Sequence, residues 1–174
     1  MFNMRSRYNR RLICGVIMIK VNIVAVGKVK ESYFADGIKE YAKRLSRYCD
    51  FKIIEVEEEN YAKFEEGLVP VIKEKEGERI IPHLKGYVFA MAIEGKKTTS
   101  EKFAATLKTL SARGSGAFTF VIGGSYGLSD KVKKRADELL SFSDMTFPHT
   151  LFRLMLTEQI YRAFSINGGS AYHK

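Results

Sequence analysis

Gly123-Gly124-Ser125-Tyr126-Gly127 satisfies the pattern G-x-S-x-G, in which a serine on a sharp strand-to-helix turn acts as a nucleophile. A triad would also need an acid and a histidine. Asp137 or Asp144, followed by His149 or His173, stand in a permissible order. Three residues, Tyr126-Gly127-Leu128, separate Ser125 from the next helix cap at Ser129, whereas a nucleophile elbow runs almost directly into its helix. A second chemistry needs no nucleophile. Glycines at the carboxyl end of a strand let a ligand approach the backbone, and open α/β sheets bind ligands there. The spacing is not G-x-G-x-x-G and no Lys-Ser/Thr follows, so neither a dinucleotide nor a nucleoside triphosphate is indicated. The plainest reading is a turn that needs positive φ.

A second loop, Ser141 to His149, "SFSDMTFPH", also follows a strand and precedes a helix. It combines small hydroxyls and backbone donors with more Met and Phe than an exposed turn carries. Together with the glycine loop, and with Met91 and Gly95 after a third strand, it could wall a pocket for an adenosine-like ligand. Alternatively, Phe142, Met145 and Phe147 are core anchors. The spacing of His83, His149 and His173 makes no metal site. His83 reads as solvated, and His149 as capping or packing in a first helical turn. His173 lies between Tyr172 and Lys174 in a tail that reads as disordered. An aromatic ring, an imidazole and a cation together could also stack on and grip RNA.

These loops need a scaffold. Ile19–Val26 reads as a buried strand, Ser32–Arg47 as a helix capped by Ser32, and Phe51–Val56 as a second strand. Residues 60–84 read as mostly helical, interrupted by Gly67 and Pro70. Tyr87–Ile93 is a third strand closed by Glu94-Gly95, Ser100–Ser111 a helix, and Ala117–Ile122 a fourth strand. Ser129 caps a helix through Glu138, "LLSFS" is a fifth strand, and Pro148 opens a final helix to about Ile166. Strands alternating with helices predict an α/β fold around a parallel sheet in one domain.

The net charge of +9 points to an acidic partner, nucleic acid first. Arg5, Arg7, Arg10 and Arg11 lie in an acid-free stretch of 17 residues, and taking those four from +9 leaves +5. The stretch weakly resembles a signal peptide, but its apolar end runs into the first strand. Residues 1–17 are therefore expected to be an upstream or non-native extension, with Met18 as the natural start of a domain spanning 18–174. Cys14 and Cys49 make neither a disulfide framework nor a metal pair, which fits a cytoplasmic location. No apolar run reaches the ~18 residues of a membrane span.

"MIKVNIVAVGKVKESYF", "EYAKRL", "KEKEGERI", "FVIGGSYGL", "LSFSDMTFPH", "EQIYRAF" and the terminal "AYHK" closely resemble the RlmH family. These are the ribosomal RNA large subunit methyltransferases H, a branch of the SPOUT class. The resemblance runs in order from Met18 to Lys174. It implies a SPOUT fold with a C-terminal trefoil knot, a homodimer, and methyl transfer from S-adenosylmethionine to N3 of a pseudouridine in 23S ribosomal RNA on the ribosome. It also implies that Met91, Gly123, Phe142, Ser143, Asp144, Met145, Thr146 and Phe147 bind the cofactor, which makes Ser125 no nucleophile. His173 and Tyr172 are the expected catalytic pair, with His173 the better proton acceptor. Arg153, Arg162 and Lys174 are the expected RNA contacts, although the two arginines could equally lie on a solvated helix face. Gly168 stands where family patterns such as "RGEAYHK" carry an arginine, so one RNA contact is expected to be missing or moved. The rival functions are a non-catalytic RNA-binding protein and a serine hydrolase.

Overall fold

Runs of β-branched and aromatic residues suit a pleated, covered surface, and five of them form the sheet. In the computed structural model, which describes residues 18–61, 65–170 and 172, the strands are β1 (Lys20–Val26), β2 (Asp50–Val56), β3 (Tyr87–Lys97), β4 (Ala117–Ile122) and β5 (Glu138–Ser141). The helices are α1 (Ser32–Leu45), α2 (Val69–Ile80), α3 (Ser100–Ala112), α4 (Asp130–Arg135) and α5 (His149–Asn167). The sheet order is β2-β1-β4-β3-β5 and every pair is parallel. All five strands therefore present their carboxyl ends at the same edge.

Side chains alternate between the two faces, as a strand requires. Val21, Ile23 and Ala25 of β1 pack with Leu45 of α1, Phe103 of α3 and Leu156 and Ile160 of α5. Val24 and Val26 pack with Ile80 of α2, with Leu128 of the loop after β4 and with Val132 of α4. Phe120 sits at the centre of the first face, stacked on Phe89 at 5.0 Å with ring planes 7° apart. Each such fully buried side chain contributes roughly 1.5–3 kcal/mol.

Several boundaries differ from expectation, each for a tertiary reason. The fourth helix ends at Arg135 because Glu138 joins β5 opposite Phe89. Asp137 stops the helix by accepting the Val88 N–H at 2.7 Å. β3 continues to Lys97 through a bulge, so that Met91 and Lys96 both pair with Leu140. A Cβ on Gly95 would lie 2.6 Å from the Leu140 backbone, so a glycine is needed there. Pro70 opens α2 rather than interrupting it, and Gly67 lies in the short 3-10 turn before it. Ser32 does not cap α1; Glu31 holds that position, without a side-chain bond. Ser129 does cap α4, accepting from the Val132 N–H.

Residues 1–17, with their proposed upstream start, lie outside the described residues, as do Ala171, His173 and Lys174. Tyr172 is described, and it is packed. Its ring meets Tyr161 edge-on at 4.8 Å and lies under the Arg162 guanidinium. Tyr172 thus has extensive contacts that the composition of the tail did not predict.

Candidate active site

The bulged second half of β3 and the loops after β4 and β5 converge on a cleft of about 780 Å³, within the size range of small-molecule sites. Each wall has a local cause. The bulge in β3 turns Met91–Glu94 into one wall. The glycine loop closes on itself through a Gly127 N–H to Gly124 carbonyl bond of 3.0 Å, and Gly127 has φ +81°. A Cβ on Gly123 would lie 2.6 Å from the Gly127 carbonyl carbon. Gly127 thus answers the need for positive φ, whereas Gly123 answers a close approach within the loop. In the third wall, Ser143 Oγ accepts the Met145 N–H at 3.0 Å, and Ser141 Oγ donates to the Ser143 carbonyl.

The structure brings Met91, Gly123, Phe142, Ser143, Met145, Thr146 and Phe147 together around this cleft. Asp144 is the exception: it is exposed and ion-paired to Lys97. Phe142 also serves the core, packing on Phe152 at 5.0 Å. Met145 does not; it is 70% exposed at the cleft. Core anchoring therefore explains part of the apolar content of this loop and leaves Met145 without a packing role.

Ser125 lines the cleft, but its hydroxyl donates to Glu58 Oε1 at 3.4 Å. The acids a triad would need are engaged elsewhere, Asp137 with Val88 and Asp144 with Lys97. His149 also lines the cleft. Gly27, with φ +76°, passes between its imidazole and Glu58, a Cβ there lying 3.7 Å from each. On the opposite wall Lys133 donates to Glu94, and that bond holds the Glu94 carboxyl below the ordinary range.

Arg153 is not a phosphate contact. It is 1% exposed, bonded to Glu55 at 2.6 Å and to the carbonyls of Val26 and Gly27 at 3.2 and 3.0 Å. Its charge ties α5 to the ends of β1 and β2, and burial lowers its pKa from the usual arginine value. Arg162 stays part-exposed, held by Glu158 through two bonds. Tyr172 lies outside the cleft lining; its hydroxyl is 3.3 Å from Tyr41 and 3.2 Å from Glu158. Burial, then the Tyr41 bond and the Glu158 charge, push its phenol well above the ordinary tyrosine range. Sequence reasoning missed Glu58, Glu94 and Lys133 as cleft neighbours. The acid run 57–59 was visible, but as a strand end.

A family model described as "Predicted SPOUT methyltransferase" matches residues 19–173. The chain belongs to the SPOUT methyltransferase family. This SPOUT chain is 52% identical over 159 residues to "Ribosomal RNA large subunit methyltransferase H" of Bifidobacterium adolescentis, covering 90% of this chain and all of that protein. It is 51% identical over 162 residues to the protein of that name from Clostridioides difficile, with the same coverage. A crystal structure of tRNA (m1G37) methyltransferase from Aquifex aeolicus aligns with this SPOUT chain at a TM-score of 0.49 and 12% identity, over 83% of this chain and 69% of that one.

Proposed function

We infer that this protein transfers a methyl group from S-adenosylmethionine to large-subunit ribosomal RNA. The observation that carries the reading is the cleft: a strand bulge and two loops at the carboxyl ends of parallel strands, on a chain matching rRNA methyltransferases over their whole length. The cleft residues fit the cofactor. Met91, Ile93, Met145 and Phe147 offer apolar walls for a nucleoside and a thioether-like chain. Polar side chains in the lining, including Ser125, Thr146 and the Glu94–Lys133 pair, offer partners for the cofactor's polar groups. When bound, S-adenosylmethionine supplies an electrophilic methyl group on its sulfonium.

The finer reading is N3 of a pseudouridine in 23S RNA, modified on the ribosome by a homodimer whose C-terminal segment is knotted. N3 carries a proton that must leave before or during attack. Tyr172 is a poor acceptor, because its surroundings keep the phenol protonated. It is better read as a positioning residue, holding the tail against Tyr41, Glu158 and Arg162. The proton then falls to an imidazole, His173 next to it in sequence or His149 at the cleft. A positioned base contributes about 10²–10⁴-fold. Alignment of donor and acceptor contributes up to roughly 7–11 kcal/mol. Arg162 and Lys174 remain the proposed RNA contacts.

Tritiated methyl transfer to ribosomes lacking the modification tests this directly. Label should enter the large-subunit RNA and map to one pseudouridine. A protein that binds ribosomes, gives no calorimetric heat with S-adenosylmethionine and transfers no label would be a non-catalytic binder instead.

A further inference from the structure

The segment Lys73-Glu74-Lys75-Glu76-Gly77-Glu78-Arg79-Ile80 of α2 reads as a charged, solvated helix. Several of its charges follow that pattern. Glu74 pairs with Lys131, and Lys75 and Arg79 hold Glu59. Glu76 does not. Its side chain is 2% exposed. Oε1 accepts the Glu59 backbone N–H at 3.2 Å, while Oε2 is buried without a hydrogen-bond partner. An unsatisfied buried carboxyl oxygen is costly and calls for a reason.

The reason lies in what the carboxyl faces. A Cβ built on Gly124 would stand 2.9 Å from Glu76 Oε2 and 3.1 Å from Oε1. The next residue of the helix, Gly77, approaches the far end of the same loop. A Cβ there would lie 2.4 Å from Ser129 Oγ, the hydroxyl that caps α4. α2 therefore backs the segment 124–129 at both ends, through one carboxyl and one missing side chain. Gly124 also lines the cleft, and Glu76 does not.

We propose that Glu76 is a positioning residue for the cofactor: its carboxyl fills the space behind Gly124 and ties the glycine loop to the segment after β2. This role rests on reading the cleft as the S-adenosylmethionine site. Burial raises the Glu76 carboxyl above the ordinary range. The Glu59 N–H bond and Arg79 oppose that shift, and the Glu58 and Glu59 charges add to it. The Cβ built on Gly124 meets, besides the Glu76 carboxyl, Val26 of β1 at 3.1 Å, and neither Gly124 nor Val26 is charged. Near Gly77 stand Ser129, the cap of α4, and Val132 within it, also uncharged. The folded protein thus keeps this proton at a pH where the unfolded chain releases it. The contact is intact on the acid side and weakens as pH rises through the raised value.

Calorimetry with S-adenosylmethionine on the intact protein, between about pH 5 and pH 8, tests the role. The wild type should lose affinity with rising pH more steeply than Glu76→Gln, a neutral isostere; the ligand's own titration is common to both. Glu76→Ala empties the space behind Gly124 and removes the acceptor of the Glu59 N–H, and should bind about tenfold more weakly across the range. Gly124→Ala drives a methyl group into the carboxyl. It should weaken binding in the wild type by a larger factor than in the Glu76→Ala background, where the space is free. Hydrogen exchange with and without S-adenosylmethionine locates the ligand independently. Protection of neither 123–128 nor 141–149 removes the cleft reading and this role with it. Protection of both, with Glu76→Ala binding like wild type or Glu76→Gln keeping the wild-type pH slope, overturns Glu76 alone.

Discussion

The cleft at the carboxyl ends of β3, β4 and β5 and the aromatic face shared by α1 and α5 are made of opposite materials. The cleft joins a glycine loop and apolar side chains such as Met91, Ile93 and Phe147, shaped by close approaches at Gly95 and Gly123 and by the bulge after Met91. The other face is phenol, carboxylate and guanidinium. Tyr41, Tyr161 and Tyr172 crowd around Glu158, with Arg44 and Arg162 over their rings. A ligand with a fixed shape is met by a fixed backbone. On the proposed reading, a large, charged polymer is met by side chains that can exchange partners. The two regions share α5, whose first half reaches the cleft through His149 and Phe152 and whose later residues carry Tyr161 and Arg162.

The sharpest way to separate the two regions is to delete residues 171–174. Methyl transfer to ribosomes should fall by about 10²-fold or more, because His173 and the Tyr172 ring go together. Affinity for S-adenosylmethionine, measured by calorimetry, should not change. Near full transfer by the truncated protein would take the tail out of the active site. Since Tyr172 is packed, a drop of a few degrees in melting temperature is expected, on the order of 1–2 kcal/mol for its contacts.

Arg153→Ala should act on the cleft end through stability. It leaves the carbonyls of Val26 and Gly27 buried without their donor and frees Glu55, which already reaches water. A loss of about 3 kcal/mol in urea unfolding is expected, near the lower end for a broken buried pair. A change below about 1 kcal/mol would show that the guanidinium is not the tie between α5 and the sheet.

Gly123→Val should lose S-adenosylmethionine binding by calorimetry and cost about 1–3 kcal/mol of stability, because the new side chain meets the Gly127 backbone rather than a ligand alone. Unchanged affinity would remove the glycine loop from the site. The smallest effect belongs to Ser125→Ala. Its one bond to Glu58 at 3.4 Å is long, so methyl transfer should drop by no more than about 1 kcal/mol in kcat/KM. Complete loss of transfer with normal cofactor binding would restore a chemical role for the hydroxyl.

Much of this was legible in residue order. β4 runs from Ala117 to Ile122, β1 ends at Val26 and the final helix starts beside Pro148, all as local patterns indicate. The loops that wall the cleft announce themselves by composition: glycines after one apolar run, hydroxyls with Met and Phe after another. These are short-range properties, set by dihedral limits and by the period of a strand or helix. What residue order could not convey are the properties of groups that meet across the chain. The order β2-β1-β4-β3-β5 depends on pairings between distant segments. The bulge after Met91 exists because β5 pairs with both of its sides. Arg153 and Glu76 each look like ordinary helix-surface charges in their own neighbourhoods. Arg153 is buried because the carbonyls ending β1 lie beside α5, and Glu76 because a glycine some fifty residues on leaves room for its carboxyl. Burial is a property of what packs against a residue, and for these two the packing comes from segments distant in the sequence.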